Sequence, residues 1–150
     1  KLVTEVKKQL RMNIGPGAEL VVIDGSPGIG CPVIASLSGV DMVLIVAEPS
    51  VSGIGDLKRI IETARIFRTG IGVCINKSDT NPVKSEEIEM YCEEEGIPFT
   101  GRIPFDRTAV EAVNRQMTIA DIECPSGTAV RKVFLYTIEL LFSEKEGTDK

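Results

Sequence analysis

Short, nearly continuous apolar runs alternate with helical patterns along this chain, and this alternation constrains its fold more than any other feature. Four runs, most of them rich in valine and isoleucine, are predicted strands: residues 20–23, 42–47, 71–75 and 98–103. Such runs are typical of strands whose sheet is covered by helices on both faces. Four segments have helical spacing of apolar residues: 4–12, 52–68, 83–95 and 127–142. The sequence therefore predicts an α/β fold, a mostly parallel sheet with helices on both faces in three αβα layers.

Composition narrows the class of protein further. The 150 residues are enough for one domain with its own core. No apolar run reaches the roughly 18–20 residues of a membrane span, and the net charge of −5, without a basic stripe, does not favour nucleic-acid binding. The four cysteines form no CxxC pair, so we expect neither a disulfide framework nor a metal knuckle. We therefore expect a cytoplasmic protein.

The first predicted strand ends on a carboxylate and then breaks into glycine and proline, in the stretch VVIDGSPGIG at 21–30. In open α/β sheets, ligands bind beyond the carboxyl ends of the strands. Asp24 can hold a water of a bound Mg²⁺, because magnesium keeps several waters when it binds phosphate. Gly25, Pro27 and Gly28 let a backbone N–H face a phosphate. An ordinary strand–turn–helix joint uses the same residue types, so this pattern alone leaves both interpretations open.

A second polar stretch, INKSD at 75–79, follows the third predicted strand. The amide of Asn76 can read a purine edge with its donor and acceptor atoms. The stem of Lys77 can cover the base, and Asp79 can accept a hydrogen bond from an exocyclic amine. A polar turn at a strand end is the alternative interpretation.

These motifs together resemble a known family of nucleotide-binding proteins. Residues 20–49, the NKSD stretch and IPFD at 103–106 resemble the later part of the MinD/ParA-type (CobQ/CobB/MinD/ParA) P-loop ATPases. The resemblance is nearest to the subgroup with an inserted ferredoxin domain. It covers residues 1–141, and the three motifs occur in the family's order.

The resemblance implies specific roles for the motif residues. Asp24 would hold Mg²⁺ through water, and Gly28 would offer its N–H to the γ-phosphate from a switch II loop that includes Gly25 and Pro27. In this family an asparagine contacts adenine and a proline-containing loop lines the base. Asn76 and the loop residues Pro104, Phe105 and Asp106 would therefore contact the base. Lys77 and Asp79, from the chemistry of the NKSD stretch given above, complete the predicted nucleotide-binding residues.

The chain departs from the family in one large respect. The phosphate loop, a GKGGxGKT-like stretch, does not occur in these residues. The resemblance therefore implies that residues 1–150 are the C-terminal part of a MinD-like nucleotide-binding domain, without catalytic residues of their own and inactive as an ATPase when alone. Because the first residue is Lys1 rather than Met, we expect a longer gene product.

The resemblance also implies cofactors and partners. We expect ATP and Mg²⁺ in the intact protein, an iron–sulfur cluster in an upstream insert, and a homodimer when the full chain binds ATP. An iron–sulfur or redox protein is the expected partner. Among the cysteines, Cys74 is predicted to lie in the core. We expect Cys31 to be a small buried hydrophobe, with a redox or iron–sulfur contact as the alternative.

Three other functions remain open at this stage. A GTPase fragment fits NKSD, although GRIPFD at 101–106 stands where a Ser-Ala-Lys-like stretch is expected. A non-catalytic α/β interaction module becomes favoured if Lys1 is the true start. An ATP-dependent amide-forming enzyme of the cobyrinic acid a,c-diamide synthase type, or a relative of the dethiobiotin synthetases, uses a similar domain, but no substrate-binding segment of those enzymes is recognisable here.

Overall fold

The computed structural model describes residues 19–146 and, before them, Glu5, Lys8, Gln9 and Gly17; for Val113 and residues 144–146 it describes the backbone alone. The elements, in chain order, are α1 (Cys31–Leu37), β1 (Met42–Ala47), α2 (Val51–Ile66), β2 (Gly70–Asn76), α3 (Pro82–Glu94), β3 (Phe99–Ile103), α4 (Thr108–Asn114), a 3₁₀ turn (Ile119–Asp121) and α5 (Pro125–Glu146). None of the helices in the described part of the chain is both long and apolar enough to cross a membrane.

The sheet has three parallel strands in the order β1-β2-β3. Met42 aligns with Gly70 at the start of the β1–β2 pair, and Val73 aligns with Phe99 in the β2–β3 pair. Each strand is joined to the next by a helix, α2 and then α3, as parallel pairing requires. The predicted α/β class and parallel sheet are confirmed.

Helices cover this sheet on both faces. On one face, α2 and α3 pack against β1 and β2 through a buried apolar cluster: Ile45, Ala47, Ile54, Leu57, Ile61, Val73, Ile75, Ile88, Cys92 and Ile97. Side chains alternate between faces along a strand, so Cys74 points to the other face, where α5 contacts β2 and β3. Cys74 is fully buried there, as the sequence predicts.

One predicted strand is wrong within the described residues. Residues 20–23 form neither strand nor helix, although they are apolar. A strand exists only when it is hydrogen-bonded to a neighbour, and within residues 19–146 the ladder of β1 runs to β2 alone. The helix predicted over residues 4–12 lies largely outside the described residues.

The start of α2 differs in detail from the predicted start. The helix begins at Val51, one residue before the predicted segment, with Ser50 as its N-cap. The side chain of Ser50 accepts a hydrogen bond from the backbone N–H of Gly53 at 2.9 Å. A Cβ on Gly53 would lie 2.3 Å from the carbonyl oxygen of Glu48. The end of β1 and the first turn of α2 are therefore too close for any residue larger than glycine at this position.

Gly72, in the middle strand, lies beneath side chains from both of its neighbours. A Cβ there would stand 2.9 Å from Cε of Met42 in β1 and 3.3 Å from Cγ2 of Thr100 in β3. The glycine lets these two side chains approach the backbone of β2 closely.

Candidate functional site

The loops that follow the three parallel strands leave the same edge of the sheet. These loops contain Glu48 after β1, residues 77–80 after β2, and residues 104–107 after β3. Because parallel strands end at one edge, the two base-binding motifs predicted from sequence lie side by side. Their hydrogen bonds show how closely they are joined.

An ion pair connects the ends of β1 and β2. Nζ of Lys77 lies 2.6 Å from Oε1 of Glu48, with both side chains partly exposed. Lys77 has a left-handed backbone, with φ of +53°, and its N–H donates to Oδ1 of Asn76 at 3.0 Å. The local turn therefore points the lysine back toward β1 and holds the Asn76 amide in place.

A pair of hydrogen bonds joins the loops after β2 and β3. The backbone N–H of Phe105 donates to Oδ1 of Asp79 at 2.7 Å, and the N–H of Ser78 donates to the carbonyl of Ile103 at 3.0 Å. Below them, the buried hydroxyl of Ser85 donates to the Ser78 carbonyl at 2.7 Å. The NKSD and IPFD motifs thus form one connected surface, on which the Phe105 side chain is 50% exposed.

Asp106 ties this surface to the rest of the fold. Its Oδ1 accepts from the N–H of Thr108 at 2.9 Å, and its Oδ2 accepts from the hydroxyl of Ser126 at 3.0 Å. Hydrogen bonds from the side chain and backbone of Thr108, then from Ser126, hold the pKa of Asp106 well below its usual range. The carboxylate therefore caps α4 and anchors the start of α5, two contacts that sequence reasoning missed.

The predicted switch II residues lie in a different place, along a groove beside β1. This feature, which we call the β1 groove, has a volume of about 1140 Å³ and is lined by residues 19–28, by all of β1 and by faces of α1, α2 and α5. Asp24, Gly25, Pro27 and Gly28 line it, as does Glu48. Gly28 has φ of +89°, a conformation that favours glycine.

The structure therefore gathers the predicted residues into two groups. The first, Asp24–Gly28, lines the β1 groove; the second comprises Asn76–Asp79 and Pro104–Asp106, none of which lines it. The Glu48–Lys77 ion pair connects the groups, since Glu48 lines the groove. Asp56, one turn into α2, also lines the groove. No local pattern distinguishes it from any other exposed helical acid.

The cysteines are not grouped for metal binding. Among the described residues, no three Cys, Asp or Glu side chains are placed to hold a metal ion. Burial raises the pKa of both Cys74 and Cys92 to about 11. The prediction that Cys31 is buried is wrong: α1 turns Val33 and Leu37 inward, which leaves Cys31, its first residue, exposed.

The chain has relatives among known proteins, although no family model matches it. It is 29% identical over 119 residues to an uncharacterized protein of Methanocaldococcus jannaschii, a match that covers 78% of this chain and 39% of the relative. It is 28% identical over 107 residues to an uncharacterized ATP-binding protein of that organism (69% of this chain, 42% of the relative).

A third relative is named for the iron–sulfur clusters that it carries. The chain is 25% identical over 141 residues to the iron-sulfur cluster carrier protein of Methanocaldococcus jannaschii, a match that covers 85% of this chain and 49% of the relative. The chain thus spans less than half the length of each of these three relatives. It is a distant relative of one protein named for binding ATP and of another named for carrying iron–sulfur clusters.

Proposed function

We propose that this chain is part of an ATP-binding, ATP-hydrolysing switch protein of the MinD/ParA type. In this proposal residues 1–150 are the C-terminal part of the nucleotide-binding domain. The hydrogen bond from the Phe105 N–H to Asp79 at 2.7 Å carries the proposal, because it makes one surface of the two motifs that would hold the base. The distant relative named for ATP binding adds independent support.

The base would lie on the connected loops after β2 and β3. The side-chain oxygen of Asn76 accepts a hydrogen bond from the backbone N–H of Lys77. The amide NH₂ of Asn76 would therefore donate to a ring nitrogen of adenine. The Lys77 stem, Pro104 and the half-exposed ring of Phe105 offer apolar contact to the faces of the base. Asp106, held by Thr108 and Ser126, supports the loop from below rather than touching the nucleotide.

We favour adenine over guanine as the base. GRIPFD at 101–106 stands where a guanine-binding protein is expected to carry a Ser-Ala-Lys-like stretch. The GTPase alternative is therefore the less favoured one.

The phosphate end of the nucleotide would face the switch II loop. Asp24 would hold Mg²⁺ through a water molecule, since magnesium keeps several of its waters when it binds phosphate. Gly28, at φ of +89°, would turn its N–H toward the γ-phosphate, and a Cβ there would meet nothing within 4 Å. Glycine is thus needed at position 28 for its backbone angle, and the space around it is open.

The proposal also includes a phosphate-binding segment outside these 150 residues, a homodimer and a partner protein. The 150 residues contain no GKGGxGKT-like stretch, so phosphate charge would be neutralised by a segment outside them, and this chain alone would not hydrolyse ATP. We propose a homodimer of the full polypeptide when ATP is bound. We also propose an iron–sulfur or redox protein as partner, a role suggested by the relative named as a cluster carrier.

The test of the switch II assignment is ATP turnover by the native polypeptide purified from its source cell. Asp24→Ala should abolish turnover without changing the circular dichroism spectrum. Glu19 also lines the β1 groove. The control variant Glu19→Ala should leave ATP turnover unchanged. Normal turnover by Asp24→Ala would remove this assignment.

The test of the base assignment is nucleotide affinity. The native polypeptide should bind ATP more tightly than GTP, and Asn76→Ala should weaken ATP binding by about tenfold, the loss of one hydrogen bond. Asn114→Ala, at an exposed position at the end of α4, is the matched control. Equal affinity for the two nucleotides would contradict the assignment.

A further inference from the structure

Lys77 has an unusual backbone conformation for its place in the fold. Among the described residues, three that are not glycine have positive φ: Arg68, Lys77 and Gln116. Arg68 follows α2 and Gln116 follows α4, where a left-handed residue is an ordinary way to end a helix. Lys77 instead follows a strand, β2. Lysine has no intrinsic preference for this conformation, and strained backbone of this kind is concentrated at functional sites.

The polar groups of Lys77 are all held by neighbouring residues. Its N–H donates to Oδ1 of Asn76 at 3.0 Å. Its carbonyl accepts hydrogen bonds from the hydroxyl and the N–H of Thr80, at 2.7 and 3.0 Å. Its ammonium lies 2.6 Å from Oε1 of Glu48. The turn therefore fixes where the lysine side chain begins, and the ion pair fixes where it ends.

Glu48, the partner of this lysine, has a restrained backbone at the end of β1. Pro49 follows it, which restricts Glu48 to extended conformations. Its carbonyl accepts a hydrogen bond from the N–H of Ser50 at 2.8 Å, and the first turn of α2 packs so closely against this carbonyl that a Cβ on Gly53 would lie 2.3 Å away. The fixed backbone limits the positions that the Glu48 carboxylate can reach.

The ion pair directs the lysine stem to one side of Asn76, the last residue of β2. Because β2 lies between β1 and β3, a stem that runs from the end of β2 to Glu48 lies on the β1 side. The loop of Phe105 follows β3 and lies on the opposite side. An aromatic base placed over Asn76 would therefore have an apolar wall on each side, the lysine methylene groups and the Phe105 ring.

We propose that Glu48 is a positioning residue for the nucleotide base. Its ion pair with Lys77 holds the lysine stem as one wall of the base site, opposite Phe105. Glu48 itself does not touch the base and acts through Lys77, whose ammonium it neutralises. This inference rests on the proposed function, because it assigns a role to a residue beside the base site proposed above.

Two ligands separate this role from a general electrostatic one. The experiment compares the affinity of the native polypeptide for ATP and for inorganic triphosphate, which has no base. Glu48→Gln should weaken ATP binding by about threefold to fivefold, the range expected for an exposed ion pair. The affinity for triphosphate should stay the same.

The opposite sign is expected if Glu48 acts only through its charge. Glu48→Gln would then tighten the binding of both ligands, because a negative charge is removed from the neighbourhood of a polyanion. Tighter binding, an equal change for the two ligands, or an unchanged affinity for ATP would each overturn the positioning role.

A matched ion pair at the other edge of the sheet provides the control. Arg65 and Glu95 are paired at 2.8 Å with similarly exposed side chains, and they lie at the ends of α2 and α3 that lead into β2 and β3. Glu95→Gln should therefore leave the affinity for ATP unchanged. An effect as large as that of Glu48→Gln would contradict a local role for Glu48.

A double variant tests whether Glu48 acts through the lysine. In a Lys77→Ala background, Glu48→Gln should have no further effect on ATP affinity, since no stem remains to be positioned. Additive effects would overturn the inference. If Asn76→Ala weakens ATP binding and Glu48→Gln does not, the base site remains and the positioning role alone is wrong. A native polypeptide that binds no ATP would overturn both this inference and the proposed function.

Discussion

The carboxylate of Asp79 lies 2.7 Å from the backbone nitrogen of Phe105 and accepts its hydrogen bond. These residues are 26 positions apart in sequence, and α3 and β3 lie between them. The bond therefore fixes the loop after β3 relative to the loop after β2. Whatever binds at this edge of the sheet meets one preformed surface rather than two independent loops.

Removal of this bond should loosen the loop after β3. We expect Asp79→Ala to lower the free energy of unfolding by about 1 kcal/mol, the contribution of one exposed charge-assisted hydrogen bond. Asp79→Asn retains an oxygen acceptor and should cost less. Urea unfolding measures both variants, and an unchanged midpoint for Asp79→Ala would contradict the structural role.

Asp106 should make the stability depend on pH in the acid range. Its pKa is lowered in the folded state by Thr108 and Ser126, whereas an unfolded aspartate titrates near pH 4, about 3.9 in model peptides. Its contribution is therefore fully present above about pH 4 and is lost as the pH falls toward the folded pKa.

Asp106→Asn should be less stable than the wild type at pH 7, and its stability should fall less steeply below about pH 4. The stability of Asp106→Asn should still fall somewhat as the pH is lowered, because hydrogen bonds from Thr118 also lower the pKa of Asp121. Glu94→Gln, on the exposed face of α3, is the control and should parallel the wild type. Urea midpoints measured across this pH range check the expectation, and identical slopes for Asp106→Asn and the wild type would refute it.

Two glycines of α2 form a matched pair. A Cβ on Gly53 would lie 2.3 Å from the Glu48 carbonyl, whereas a Cβ on Gly55 would meet nothing within 4 Å. Gly53→Ala should therefore cost more than about 1 kcal/mol, since backbone must move. Gly55→Ala should stabilise the helix by up to about 1 kcal/mol. Thermal unfolding compares them, and a stabilising Gly53→Ala would show that the first turn is looser than described.

The cysteines should react in the order of their exposure. Iodoacetamide at pH 8 should modify Cys31 first, because the thiols of Cys74 and Cys92 are buried and burial raises their pKa to about 11. All four cysteines should react after unfolding in urea. Peptide mass spectrometry locates the label, and modification of Cys74 at a rate similar to that of Cys31 would contradict the described core.

Much of the fold could be predicted from local patterns. Apolar runs gave β1, β2 and β3, and helical spacing gave α2, α3 and α5, each within a few residues of its observed bounds. The apolar run at 20–23 has the same composition as these strands. Composition alone does not make a strand, because pairing depends on a neighbour that a local pattern does not contain.

Short elements escaped prediction because side-chain hydrogen bonds, rather than periodicity, define them. Helix α4 has seven residues, and the 3₁₀ turn is closed by a capping box between Thr118 and Asp121. The candidate site shows the same limit. The rule for strand ends located NKSD and the family resemblance located IPFD. The partners of Asp79 and Asp106 are distant in sequence and follow only from the assembled fold.

The close approach of Met42 to Gly72 has a consequence for how this sequence can change over time. The atom that a Cβ at position 72 would meet first is the terminal methyl of Met42, the far end of a flexible side chain, at 2.9 Å. The same Cβ would stand 3.3 Å from Thr100, which is β-branched and adjusts less easily. Positions 42 and 72 therefore form a compensating pair: a shorter residue at 42 makes room for alanine at 72, while Thr100 sets the upper limit on size at that position.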